Sequence, residues 1–294
     1  MTTEPADHRS LLVGSATGLH RVDDGATLLE GRAVTALSGA WAVVDGREVV
    51  RDAERVEQLD DDGPAAICVL AVGDGALVGT AEGHLLRVPG GGRVESFEQA
   101  GGRDRWYTPW GGPADVRSLA LGPDGTLFAS VHVGGILRSA DGGASWEPTL
   151  DIDIDVHQVV VADDGSVLAA TAFGLATSTD GGRSFEVADD GLHACYARAV
   201  AVAGDVVLLS VSTGPDGHRA AVYRRPLHGG GAFRRTAIGL PGTLPGNIDT
   251  FCLIAEGNRA ALGTFAGRVY GSDDAGATWS TIAAGPSVAC LSYR

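Results

Sequence analysis

Three histidines and two arginines in this chain sit where their side chains could do chemistry. His132 lies in SVHVGG, His157 in DVHQVV and His193 in GLHACYAR, each beside a short apolar run. Three imidazoles with an open position suit Zn, Fe or Cu, and a metal so held activates water, oxygen or a substrate oxygen. Arg117 (DVRSLAL) and Arg198 (YARAVAV) suggest a second chemistry, in which two guanidinium forks grip a carboxylate or phosphate while His157 or Tyr196 moves protons. Asp249 (NIDTFCL) is a charged candidate of the same kind. The stretch RDRWYTPWGGPAD brings Trp106, Tyr107 and Trp110, which could wall or lid a pocket.

The segment DIDIDV ahead of His157 has the acid spacing of a calcium loop. Such a loop also needs a Gly after the third acid and a Glu further on, and here Val156 and His157 follow. The alternation of Asp151, Asp153 and Asp155 with Ile152 and Ile154 predicts an extended segment with one wet face. Asp155 is then placed to accept an imidazole N–H behind a bound metal. Of the four cysteines, Cys68, Cys252 and Cys290 fall inside apolar strand-like runs and no C-x-x-C pair occurs, so buried free thiols are expected.

The elements that must position these residues are repeats. The string S-x-D-x-G-x-[ST]-[WF] occurs as SADGGASW from 139, STDGGRSF from 178 and SDDAGATW from 272. Ahead of each lies an apolar strand, a turn, a second strand, a small-residue turn and a third strand, as in VRSLALGPDGTLFASVHVGGILRS. Weaker copies fill the gaps, and helix-period patterns are absent. A period near 40 residues with four short strands per unit predicts a β-propeller. First strands are expected near 34, 66, 116, 156, 198 and 248. A last one, SVACLSYR, ends the chain, and SLLVGSATGLHRVDDGATLLEG at the start supplies its partners. The expectation is an all-β chain: one seven-bladed propeller over residues 10–294, built of four-stranded antiparallel blades, closed by a composite blade and preceded by a flexible tail over residues 1–9. Closure of this kind removes the open sheet edge.

The three strings resemble the Asp-box of BNR-repeat proteins, the sialidase-like and photosystem-assembly-factor-like propellers. The resemblance implies that each box is the turn between the third and fourth strands of a blade. Its Asp would cap backbone N–H groups, its Gly take positive φ, and its Trp or Phe pack between blades. It implies a fold and no activity; the Arg-Ile-Pro signature that sialidases carry near the N-terminus is missing. It also implies that ligands sit on the face where the inner strands begin, opposite the boxes. On that face the copies align Arg117, His157, Arg198 and Asp249 at the starts of inner strands. His132 falls in a turn between second and third strands, and His193 in the loop leading into the next blade.

Composition narrows the partners. Arg plus Lys total 22 against 37 acids, a formal charge of −15, which repels nucleic acid and anionic lipid. The first residues, MTTEPADHRS, lack the apolar core of a signal peptide, and no apolar run approaches the ~20 residues of a membrane span. The expectations are a cytoplasmic protein, a small-molecule ligand of anionic character, and neither nucleic acid nor membrane as partner. Three functions fit. One is a metal-dependent enzyme on His132, His157 and His193, of hydrolase, lyase or oxygenase type. Another is a metal-free hydrolase or lyase using Arg117 and Arg198, and the third a non-catalytic scaffold.

Overall fold

The structure is a computed structural model that describes residues 10–108 and 111–294. The N-terminal tail expected over residues 1–9 and Trp110 lie outside the described residues. Seven four-stranded antiparallel sheets ring one axis. Blades 1 to 6 open with the inner strands Val34–Ser38, Ala66–Val72, Val116–Leu121, Val156–Val161, Tyr196–Ala203 and Leu253–Glu256. In blade 7 the inner strand is the C-terminal Val288–Tyr293. It pairs with Leu11–Ser15, followed outward by Gly18–Arg21 and Thr27–Leu28. The first and last described residues meet there, Ser10 N–H donating to the Arg294 carbonyl at 2.6 Å. No helix among the described residues is long and apolar enough to cross a membrane.

Short apolar strands become blades because both sheet faces are covered by neighbours. One core cluster joins Ala120, Phe128 and Ile136 of blade 3 to Val156, Val159 and Val167 of blade 4. The next joins Leu168 and Leu175 of blade 4 to Val200, Leu209 and Tyr223 of blade 5. This explains why strands carry apolar residues at successive positions rather than alternating ones.

The three S-x-D turns share one geometry. In blade 3, Asp141 Oδ1 accepts from the Ser145 backbone N–H at 2.9 Å and Oδ2 accepts from the Ser145 hydroxyl at 2.6 Å. Asp180 and Asp274 accept equivalent bonds from Ser184 and Thr278. The hydroxyl bonds, then the backbone N–H bonds, hold Asp141 and Asp274 down to about 2. Gly182 has φ +79° and a Cβ there would lie 2.3 Å from the Phe128 ring, so only glycine fits. These turns lie at the end of the propeller where inner strands finish: Ser139 pairs with Leu127, which pairs with Leu121.

Two local expectations are corrected. DIDIDV is not extended: residues Ile152–Ile154 form a 3-10 turn capped by the Asp151 carboxylate, and Asp155 leaves it at φ +49°. Its apolar residues are spaced as in a strand, but the chain must drop from an outer strand to the inner one, and a tight turn does this in few residues. Blade 6 begins at Leu253 rather than near 248, because residues 249–252 form a turn closed by Cys252 N–H on the Asp249 carbonyl at 2.9 Å.

Candidate functional site

The inner strands share a backbone irregularity. In blades 1 to 5 the pairing with the second strand skips one residue, so that Val116 faces Val131 and Ser118 faces Ser130, leaving Arg117 unpaired. The skipped residues are Thr35, Ile67, Arg117, His157 and Arg198. A bulge re-aims the side chain of its extra residue, and here it sets the orientation of three candidate residues at once.

Around His157 the bulges assemble a cluster. His157 and His132 have ring centroids 6.3 Å apart. Asp155 stands between them, its Oδ1 3.3 Å from His132 Nε2 and its Oδ2 3.5 Å from His157 Nε2. The Tyr196 ring centroid lies 4.7 Å from that of His157. Arg117 reaches His132 Nδ1 at 3.3 Å. Arg198 approaches the Tyr196 hydroxyl at 3.4 Å and pairs with Asp249 at 2.5 Å. Three non-glycine residues with positive φ support this region: Asp155 (49°), Val133 (45°) beside His132, and Phe251 (64°). Strain of this kind persists only where the surroundings impose it, often at functional sites.

Hydrogen bonding fixes the tautomers. His157 Nδ1 lies 2.6 Å from the Ala197 carbonyl, so it carries a proton, and in the neutral ring the Nε2 lone pair faces Asp155. His132 Nδ1 faces a guanidinium, which can only donate, so His132 Nε2 carries the proton and stands 3.3 Å from Asp155 Oδ1. Burial, then the Arg117 charge, pushes His132 down to about 4 against the pull of Asp155. Burial would raise the Asp155 carboxyl, but the facing His157 ring, then His132 and the Arg117 charge, outweigh it and hold Asp155 below the ordinary range. Burial, then the nearby Arg198 charge, lowers Arg117.

The ligand atoms of His132, Asp155 and His157 all lie within 4.8 Å of one another, a spacing that could hold a metal ion. His193 is not in that group. Its Nδ1 lies 2.9 Å from the Tyr223 hydroxyl and its ring stacks on Tyr223, a residue of the third strand of blade 5, away from the channel. Asp155, expected behind the histidines, takes the place between them. His157, expected to point into the channel mouth, is wholly buried. The accessible groups are Asp155, Tyr196, Arg117, Arg198 and Asp249.

The aromatic loop divides. Trp106 is packing rather than wall: it stacks on Arg103 at 4.7 Å, lies 5.9 Å from Phe97 and fills the space beside Gly83 and Gly134. Tyr107 is 46% exposed, beside the His132 turn, where its N–H reaches the Val133 carbonyl. Phe173 and Phe265, in the equivalent turns of blades 4 and 6, are 53% and 77% exposed on the same face. Sequence reasoning missed them; their position in the His132-type turn was the available signal.

The turn over residues 249–252 floors this mouth. The Thr250 hydroxyl donates to the His157 carbonyl at 3.0 Å, Phe251 N–H approaches Gln158 Oε1 at 3.5 Å, and Leu291 N–H donates to the Phe251 carbonyl at 2.9 Å. The Phe251 ring packs on the core clusters of blades 2 and 3 and of blades 7 and 1. One turn thus touches blades on both sides of the channel. Beyond it, a cavity of about 810 Å³ opens at the other mouth, where inner strands end.

No protein-family model matches the chain, and neither does any curated protein. Solved structures share the fold. The WD40 repeats of RRP9 superpose with a TM-score of 0.61 at 14% identity, covering 97% of this chain and 86% of that one. YCF48 from Cyanidioschyzon merolae gives 0.59 at 16%, covering 92% and 95%. An ancestral GH74 enzyme gives 0.55 at 15%, covering 92% of this chain but only 38% of that one. At such identities the likeness is one of fold, and a fold shared by WD40 repeats and an enzyme does not select a function.

Proposed function

We propose that this chain is a propeller of the BNR/Asp-box kind that binds a small anionic molecule at the mouth where the inner strands begin and acts on it by acid–base chemistry, as a hydrolase or lyase. The repeated S-x-D turn geometry supports the first part. One observation carries the second. Arg117 and Arg198 flank blade 4 closely enough for Arg198 to lower Arg117, and Arg117 has no carboxylate at ion-pair distance among the described residues. The repulsion between these two partly buried guanidiniums would be relieved by an anion that both can reach. Asp249, on Arg198, is 55% exposed and easily displaced.

In this reading Arg117 and Arg198 hold the anion. Asp155, kept ionised, accepts a proton from it, and the Tyr196 hydroxyl can return one. His132 and His157 are buried positioning residues that orient the Asp155 carboxylate. The test is a thermal-shift screen of small carboxylates and phosphate monoesters on wild type and Arg117→Met. A stabilising anion whose effect disappears in the variant supports the reading; no stabilising anion refutes it.

A metal reading is favoured by one observation, the convergence of two imidazole nitrogens and a carboxylate, the donor set of non-haem iron sites. His157 fits, since its other ring nitrogen donates to a carbonyl. His132 fits poorly: its other nitrogen faces Arg117, and a metal on Nε2 would leave a donor facing that guanidinium. Elemental analysis before and after chelation decides between them. One Zn, Fe or Cu per chain, lost in Asp155→Asn, would put the metal reading first.

A further inference from the structure

The opposite mouth has the inverse charge character. Its cavity of about 810 Å³ has apolar walls, among them Leu37, Val69, Val200, Leu253 and Leu291. Asp163, Asp164 and Asp205, in the turns between first and second strands of blades 4 and 5, and Glu256, at the end of the inner strand of blade 6, line it together with His228, and no arginine among the described residues does. Asp164 is engaged by Ser166 and His228. Asp163 and Asp205 are exposed, with no ion pair among the described residues.

A second feature points inward. Gln158 lines the same cavity, is only 2% exposed, and uses its side-chain oxygen as acceptor for Val200 N–H at 3.3 Å. Its side-chain nitrogen donates to nothing among the described residues. The amide nitrogen is open to the cavity, so a ligand oxygen placed there can take the bond that water would otherwise accept. The turn over residues 249–252 stands between this cavity and the Arg117–Arg198 mouth, so the two sites are independent.

We propose that this cavity binds an organic amine: the ammonium at the rim beside Asp163 and Asp205, an apolar chain against the aliphatic walls, and a hydroxyl or carbonyl oxygen at the far end on the Gln158 amide. The carboxylates attract the cation, the net charge of −15 adds a favourable field, and the apolar chain is desolvated.

Calorimetric titration with 6-aminohexan-1-ol, hexylamine and hexanoate tests this on the full chain. The expected order is 6-aminohexan-1-ol tighter than hexylamine, with hexanoate not binding. Asp163→Asn with Asp205→Asn, both exposed, should weaken the amines by about tenfold, and 0.5 M salt should reduce the effect. Arg117→Met should leave amine affinity unchanged. Failure of both amines to bind, equal binding of hexanoate, or amine affinity indifferent to the two aspartates would each overturn the proposal. Loss of amine binding in Arg117→Met would overturn the independence of the two mouths.

Discussion

Trp146 and Trp279 occupy equivalent places in the S-x-D turns of blades 3 and 6, yet the same substitution should cost them differently. Both are buried, at 8% and 5% exposure. Trp279 Nε1 donates to Thr236 Oγ1 at 3.2 Å and to the Gly276 carbonyl at 3.1 Å. Trp146 Nε1 is buried with no acceptor among the described residues, the ring being held edge-on to Phe97 at 5.2 Å. Replacement by Phe shrinks the ring equally at both sites. At Trp279 it also removes a shared hydrogen bond worth about 1 kcal/mol, whereas at Trp146 it relieves an orphaned donor worth roughly 1–3 kcal/mol. Trp279→Phe should therefore be the more destabilising by about 2–4 kcal/mol. With an unfolding entropy of about 0.6 kcal/mol per kelvin for a chain this long, the two melting temperatures should differ by about 3–7 °C. Scanning calorimetry of the two variants reads this directly. Equal losses would refute the reasoning that hydrogen bonding, rather than ring volume, separates the two turns.

Other consequences are as direct. Deleting residues 287–294 removes the inner strand of blade 7 and bares the edge of Leu11–Ser15, so the product should be insoluble or melt far lower; unchanged melting would contradict the composite closure. Burial pushes the Cys68 and Cys290 thiols up to about 12 and raises Cys252 strongly, while Cys195 is partly exposed. An aromatic disulfide reagent at pH 8 should modify Cys195 alone in the folded protein and all four in urea. His132, held down to about 4, stays neutral in the fold while the unfolded chain gains a proton as pH falls below its ordinary 6.5. Its contribution is therefore intact above that value and lost between about 6.5 and about 4. The stability gap between wild type and His132→Gln, from urea melts, should narrow over that window; a constant gap would contradict a His132 kept neutral by its burial beside Arg117.

The blades were legible because Gly- and Asp-rich turns punctuate apolar runs at a regular spacing, and because SVACLSYR has no partners unless the N-terminus supplies them. The neighbourhood of His132, His157, Arg117, Tyr196 and Arg198 was legible through alignment of the repeats. The bulges were not, since Val116-Arg117-Ser118 reads as ordinary strand and only the ladder shows which residue is skipped. Asp155 was legible as a partner of the imidazoles, but its place between them rather than behind them was not, because it depends on a left-handed backbone that alternating Asp and Ile does not announce. NIDTFCLIA has a strand's composition, yet its first half crosses the channel, where packing of Phe251 on distant blades overrides local preference. His193 is near His157 in chain order, but the contact with Tyr223 draws it outward.

The claim that Arg117 and Arg198 form an anion site is tested most directly through the carboxylate that occupies it. Asp249 competes for Arg198 at 2.5 Å. Calorimetric titration of the most stabilising anion into wild type, Arg198→Met and Asp249→Asn should give opposite shifts. Arg198→Met should weaken binding by at least about tenfold, the loss of a charge-assisted hydrogen bond, whereas Asp249→Asn should tighten it severalfold by removing the competitor. Weaker or unchanged binding in Asp249→Asn, or an affinity indifferent to Arg198, would contradict the account.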